Sequence, residues 1–156
     1  IVGKTRTVLS IKTGRAVRLG HKHCLAVLFS RMTWSQRVSA IQAPSGLYSN
    51  LLPPEAALTS SLPAFVLAAQ GGKADCLELI VRRCQPDLDM VYGKKRLTAL
   101  AWAAHKGNLR CCKILRENGA SVNTKCADQV TALHLAASTG SVAVCKFLID
   151  HGCLID

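Results

Sequence analysis

The chain contains a sequence repeat with a period of 33 residues. Residues 98–104 read TALAWAA, and residues 131–137, which lie 33 positions later, read TALHLAA. The segment NGASVN at 118–123 is echoed after the same interval by HGCLID at 151–156. Self-similarity at a fixed period of this size is typical of solenoids, in which each repeat is one supersecondary unit that stacks on its neighbours.

A third and looser copy lies upstream. Residues 63–69 read PAFVLAA, and their Ala-Ala pair precedes the next one by 35 residues instead of 33. We therefore expect about two extra residues in the connecting loops near Gln85-Pro86 and Gly93, where insertions are tolerated. With three copies, each repeat can bury an apolar face against a neighbouring repeat.

Each copy has the local signals of a helix pair. Thr98 and Thr131 can cap the first helix through their hydroxyl groups, and Gly107 and Gly140 can end it because glycine accepts a positive φ. In the second helix, apolar residues recur at spacings of three and four. One such pair cannot bury both of its faces, whereas a stack of three can. The sequence therefore predicts an all-α fold.

At these motifs the chain resembles the ankyrin repeat, whose pattern is Thr-Pro-Leu-His-x-Ala-Ala, a glycine, an apolar helix and Gly-Ala-Asp-Val-Asn. The resemblance covers about residues 61–156. Departures are Ala99 and Ala132 in place of the proline, Ala101 in place of the histidine, and Arg96 and Gln129 at the turn glycine. The resemblance implies a solenoid within residues 55–156, with repeats at about 61–93, 94–126 and 127–156, that binds another protein.

In that family the partner contacts the turn tips and the residues after Ala-Ala, which line a concave surface. The first repeat contributes Gln70 and Gly71 to this surface. The resemblance carries the partner-binding role in the other two repeats to Tyr92, Lys94, Lys95, Leu97, His105, Lys106, Lys125, Asp128, Ser138 and Thr139. The middle set is basic, so our hypothesis is that it binds an acidic protein segment. The alternative is that these charges only keep a loop solvated.

Residues 1–54 form a basic leader, with eight Lys or Arg and no acid. We expect it to be largely unstructured, with one short helix at about residues 23–29. Its composition resembles that of a nucleic-acid-binding arm or an organelle transit segment. Gly3, Gly14 and Gly20 argue against the amphipathic helix of a transit segment, and a disordered tail is the third alternative. No apolar run reaches the roughly 18–20 residues that span a bilayer.

Catalysis and metal binding are not expected. The eight cysteines include no Cys-x-x-Cys pair, which disfavours zinc and favours a reducing compartment, the cytosol or the nucleus. Cys111-Cys112 beside Arg110 and Lys113 suggests a reactive thiol, although one of the pair has to face the core. His134 is assigned a structural hydrogen bond, and Trp102, which stands where the next repeat has Leu135, is assigned to packing. No catalytic constellation or cofactor motif is present, so we expect no enzyme and no cofactor.

The ends of the sequence suggest an alternative. The chain begins with Ile1, and its last predicted helix carries Val144, Phe147, Leu148 and Ile149 with no polar repeat after it. The alternative is that the chain is part of a larger regulatory or enzymatic protein, whose repeats recruit a substrate.

Overall fold

In a computed structural model, residues 12–33, 35–37, 62–93, 95–126 and 129–153 are described. The described part of the leader contains two helices of eight or nine residues, α1 at residues 12–19 and α2 at Lys22–Ser30, and residues 35–37 are also helical. Six helices follow in three pairs: α3 (Ala64–Gln70) with α4 (Ala74–Cys84), α5 (Ala99–His105) with α6 (Leu109–Glu117), and α7 (Ala132–Ser138) with α8 (Val142–Asp150). The predicted all-α repeat fold is confirmed.

The three pairs stack in two layers. The first helices α3, α5 and α7 pack side by side in one layer, and the second helices α4, α6 and α8 pack in the other. Small residues allow the inner layer to pack closely, because Ala68, Ala69, Ala103 and Ala104 are completely buried. One hydrophobic cluster runs through all three repeats.

Threonine caps begin α5 and α7, as predicted, whereas α3 begins after Pro63. The Ala101 N–H donates to Thr98 Oγ1 at 3.1 Å. In the last repeat the Thr131 N–H donates to His134 Nδ1 at 3.3 Å, and the Thr131 hydroxyl lies 2.9 Å from the same nitrogen. These bonds give His134 a structural role. Its partner is Thr131, which caps the same helix, and not a residue of a neighbouring turn.

The turns keep a left-handed backbone even where glycine is replaced. Gly107 and Gly140 end α5 and α7 with φ of +70° each. Arg96 and Gln129, which occupy the turn-glycine positions, have φ of 45° and 62°. Tyr92 and Leu97 exchange two backbone hydrogen bonds, of 2.9 and 3.1 Å, across the hairpin that joins the first two repeats.

The leader contains more helix than its sequence predicted. The short helix expected at residues 23–29 is present as α2, whereas α1 was not expected. Val17, Leu25 and Phe29 are at most 2% exposed and belong to the same hydrophobic cluster as Ile80, and α2 packs on α4. The predicted division at residue 54 lies outside the described residues.

The last helix divides its apolar residues between core and surface. Val144 and Leu148 are buried, whereas Val142 and Ile149 are exposed and Phe147 packs against the core from a half-buried position. The sequence predicted that Val144, Phe147, Leu148 and Ile149 form an uncovered apolar face. Only part of this group is therefore exposed to solvent. In the described ranges, no helix is long and apolar enough to cross a membrane.

Candidate partner-binding surface

The hairpin of the middle repeat presents one aromatic ring, Tyr92, and two described cations, Lys95 and Arg96. Tyr92 is half-buried, and its ring meets Phe65 edge-on with centroids 5.6 Å apart. Burial raises the pKa of Tyr92, with a smaller contribution from the Asp87 carboxylate, so the phenol stays protonated and can donate a hydrogen bond. Lys95 is exposed. Lys94 lies outside the described residues.

The prediction for Leu97 is wrong. Its side chain is 4% exposed and belongs to the hydrophobic cluster. Leu97 therefore packs beneath the surface and is not presented to a partner.

Trp102 and His105 form the middle of the concave surface. Both are half-buried on α5, and their rings meet at 73° with centroids 6.4 Å apart. In the described part of the chain, Trp102 Nε1 and His105 Nδ1 have no hydrogen-bond partner. Trp102 was assigned to packing from the sequence, in which the equivalent residue of the next repeat is the aliphatic Leu135.

The electrostatic environment of His105 is basic. Burial lowers the pKa of His105, and the positive charges of Lys95 and Lys106 lower it further. Both ammonium groups therefore lie close enough to act on the ring, which is neutral at pH 7. Residues 90–106 carry four Lys or Arg and no acid. The predicted residues Lys95, His105 and Lys106 thus lie close together, beside the ring of Trp102.

The last repeat adds polar groups that are already engaged. The Ser138 hydroxyl donates to the Leu135 carbonyl at 2.9 Å, and Thr139 Oγ1 lies 3.1 Å from the same carbonyl oxygen. Both side chains are exposed, as is Lys125. Asp128 lies outside the described residues. This end of the surface is neutral where it is described, apart from Lys125.

The candidate reactive thiols are inert by burial. Burial raises the pKa of Cys111 to about 11 and that of Cys112 to about 12, which overrides the lowering effect of Arg110 on Cys111. The prediction of a lowered thiol pKa is therefore wrong, because both sulfurs face the core and not only one. All eight cysteines are free thiols. The described residues contain no group of three or more His, Cys, Asp or Glu placed to hold a metal ion.

Stacked helix pairs with a row of variable side chains along the inner layer define an α-helical solenoid, a class that binds ligands on a concave face. The family profile described as "Ankyrin repeats (3 copies)" matches residues 65–156. Because this match covers more than half of the chain, the protein belongs to the ankyrin-repeat family. Ankyrin repeats are generally protein–protein interaction modules and are typically not catalytic. A comparison with curated proteins gave no match.

Proposed function

We propose that this protein binds an acidic segment of another protein on the concave surface of its middle repeat. The observation that carries the proposal is the combination of Lys95 and Lys106 with the half-buried Trp102 and His105 on one face. Basic charge steers an acidic partner to the surface and selects it against others. Half-buried aromatic rings supply contact area, since Trp and Tyr dominate the binding energy of many interfaces.

The two ring nitrogens that lack a hydrogen-bond partner among the described residues determine where a bound partner can form hydrogen bonds on this surface. Trp102 Nε1 is a donor only, and His105 Nδ1 is a donor or an acceptor according to the tautomer. A partner that rearranges the ring pair and supplies hydrogen bonds to these atoms recovers the free energy that their burial costs. An acidic segment with an apolar side chain at its centre satisfies both requirements, because its carboxylates pair with the lysines and its apolar group packs on the rings.

The test compares two charge-reversed variants of the full chain. Lys95→Glu/Lys106→Glu alters the concave surface, and Lys113→Glu/Lys146→Glu makes the same charge change at exposed positions of the second helices. Proteins captured from a cell extract by the wild-type chain are identified by mass spectrometry, and their acidic segments are synthesised as fluorescent peptides. We expect a peptide whose affinity falls at least about tenfold, or 1.4 kcal/mol, with the first variant only.

Two results would contradict the proposal: unchanged affinity in the concave variant, or equal loss in both variants. The melting temperature of each variant is measured alongside, so that a folding defect is recognised. Binding should also weaken as salt is raised from low to physiological concentration, since the charges are exposed and screened.

We further propose that binding takes place in the cytosol or the nucleus. Eight free thiols, seven of them buried or half-buried, support a reducing compartment. Imaging of the tagged full chain tests this, and secretion with disulfide-linked forms would contradict it.

A further inference from the structure

The helix pair of the leader has the turn geometry of an ankyrin repeat. Its first helix ends where the Gly20 N–H donates to the Val17 carbonyl at 3.0 Å and the His21 N–H donates to the Ala16 carbonyl at 2.9 Å. The middle repeat has the same two bonds, from Gly107 to Ala104 at 3.0 Å and from Asn108 to Ala103 at 2.9 Å. The last repeat repeats them with Gly140 and Ser141.

The backbone torsions that follow also coincide. His21, which precedes α2, has φ of −80° and ψ of 77°. Asn108 and Ser141, which precede α6 and α8, both have φ of −80° and ψ of 73°. The helices α2, α6 and α8 are each nine residues long. The leader pair therefore has the conformation of a repeat, although the family profile matches only residues 65–156.

This correspondence assigns a partner-facing position to the leader. When Gly20 is aligned with Gly72, Gly107 and Gly140, Arg18 aligns with Gln70, His105 and Ser138. Those three are the residues directly after the Ala-Ala pair, which line the concave surface. Arg18 is the leader's member of that row.

Arg18 lines a pocket together with residues of the first two repeats. The pocket has a volume of about 320 Å³ and is formed by Arg18, Leu67, Gln70, Gly71, Lys73 and Lys106. It holds three cations and no acid. Arg18 and Lys73 are half-buried, and the Lys73 side chain lies against the turn at Gly20.

None of the three cations forms an ion pair with an acid among the described residues. Within the described ranges, the ion pairs are Arg82–Glu78 and Arg110–Asp75, so the acid nearest in sequence to Lys73 is already engaged. Partly buried cations lose hydration, and an anion in the pocket would restore favourable interactions. Arg18 has the planar donor geometry that pairs with carboxylate or phosphate through two hydrogen bonds.

We propose that the leader is a fourth, degenerate repeat and that Arg18, Lys73 and Lys106 form an anion subsite at its junction with the first repeat. The subsite takes an oxyanionic side chain of the bound protein segment, either a carboxylate or a phosphate. This inference rests on the proposed function, because the subsite continues the concave basic surface toward the leader.

The test uses small anions as probes on the full chain. Nuclear magnetic resonance follows the backbone amides of Gly71 and Lys73 while sodium phosphate or sodium glutarate is added at constant ionic strength. We expect saturable shifts at both amides. Binding of phosphate alone would assign the subsite to a phosphorylated side chain, and binding of glutarate as well would assign it to Asp or Glu side chains too.

Four variants separate the subsite from general positive charge. Arg18→Ala should weaken anion binding about tenfold, as expected for loss of one charge-assisted pair, and Arg18→Lys should retain part of the affinity. Lys106→Ala, at an exposed position in another repeat, should weaken binding too, so a folding defect in the leader cannot imitate the effect. Arg15→Ala removes an exposed cation from the same helix outside this pocket and should leave binding unchanged.

Two results would overturn the proposal. One is the absence of saturable shifts with either anion up to about 50 mM. The other is equal weakening by Arg15→Ala and Arg18→Ala, which would indicate a diffuse basic arm of the kind that binds nucleic acid. Failure here is distinguishable from failure of the proposed function, because Lys95 lies outside the subsite. Loss of peptide binding in Lys95→Glu alone would support the concave surface without the subsite.

Discussion

Gly107→Ala and Gly140→Ala form a matched pair that measures how tightly successive repeats are packed. Both glycines have φ of +70° and occupy equivalent turns. A Cβ atom added at Gly107 would lie 2.8 Å from Ser141 Oγ in the next repeat, whereas one added at Gly140 would meet nothing within 4 Å. The two substitutions therefore share the backbone cost and differ in the steric cost.

Placing an L-residue in the left-handed region destabilises the folded state by about 1–2 kcal/mol. Alanine also lowers the conformational entropy of the unfolded chain, which offsets about 0.4–1 kcal/mol of this destabilisation. Gly140→Ala should thus lower the free energy of unfolding by about 0.5–1 kcal/mol. Gly107→Ala should cost about 0.5–1.5 kcal/mol more, since Ser141 must leave its rotamer. For a cooperative unit of 60–100 residues, each kcal/mol lowers the melting temperature by about 4–8 °C.

Urea unfolding followed by circular dichroism measures both values. Ser141→Ala removes the close oxygen, so the double variant Gly107→Ala/Ser141→Ala should be more stable than the sum of the two single changes predicts. Equal destabilisation by Gly107→Ala and Gly140→Ala, with additive energies in the double variant, would refute the reasoning.

Three further predictions concern the leader, the thiols and pH. Phe29→Ala should lower the free energy of unfolding of the first repeat by about 3 kcal/mol, because Phe29 is 2% exposed. The control Val27→Ala, at an exposed position of the same helix, should change the free energy of unfolding little. Equal effects of the two substitutions would contradict the packing of α2 on the first repeat. With a thiol reagent at pH 8, the exposed Cys24 should react in the native protein. Cys112 should react only on unfolding, because burial raises its pKa to about 12. Labelling of Cys112 in peptide maps of the native protein would contradict this prediction. The lowered pKa of His105 means that its contribution to stability is present above about pH 6.5 and is lost as the pH falls through the folded-state pKa. His105→Gln should therefore reduce the acid-induced fall in melting temperature between pH 7 and 5, and an unchanged fall would count against it.

The fold of the three repeats was predictable because its determinants are local. A cap at Thr98, a turn glycine at Gly107 and alanine pairs each act within one or two turns of helix, and the 33-residue period places them in register. Arg96 and Gln129 were correctly placed at the turn-glycine positions. Their left-handed backbone shows that the stack holds the turn conformation against an unfavourable residue type.

The surface was less predictable because it depends on contacts between repeats. Leu97 was assigned to the partner surface from its position in the repeat, but its side chain is buried in the hydrophobic cluster. Trp102 was assigned to packing from its aliphatic equivalent, but its indole nitrogen and the neighbouring His105 ring lie unpaired beside two lysines. A residue's place in the repeat gives its backbone conformation, whereas its accessibility depends on side chains contributed by the repeats on either side.

The first helix of the leader, and with it the pairing of α1 with α2, was missed for a different reason. This helix reads KTGRAVRL at residues 12–19, with a single alanine where the repeats have two, and the sequence Ile11-Lys12-Thr13 stands where the last two repeats have Thr-x-Leu. Gly20 precedes the equivalent Gly72 by 52 residues, so the 33-residue period is broken as well. The leader pair is held on the first repeat by the buried side chains of Val17, Leu25 and Phe29. A search for repeated sequence does not detect such burial.

The row of inner-helix positions then has an electrostatic gradient along the stack. Arg18, Gln70, His105 and Ser138 follow one another from the leader to the last repeat, so a fixed positive charge stands at one end and a hydroxyl bonded to its own backbone at the other. Lys73 and Lys106 strengthen the basic end. If the proposed function holds, we expect a protein segment bound along this row to gain most from acidic or phosphorylated side chains at the leader end and from an apolar side chain at Trp102. Its orientation on the surface follows from that order of contacts, because reversal would place its anions beside Ser138 and leave Arg18 unpaired.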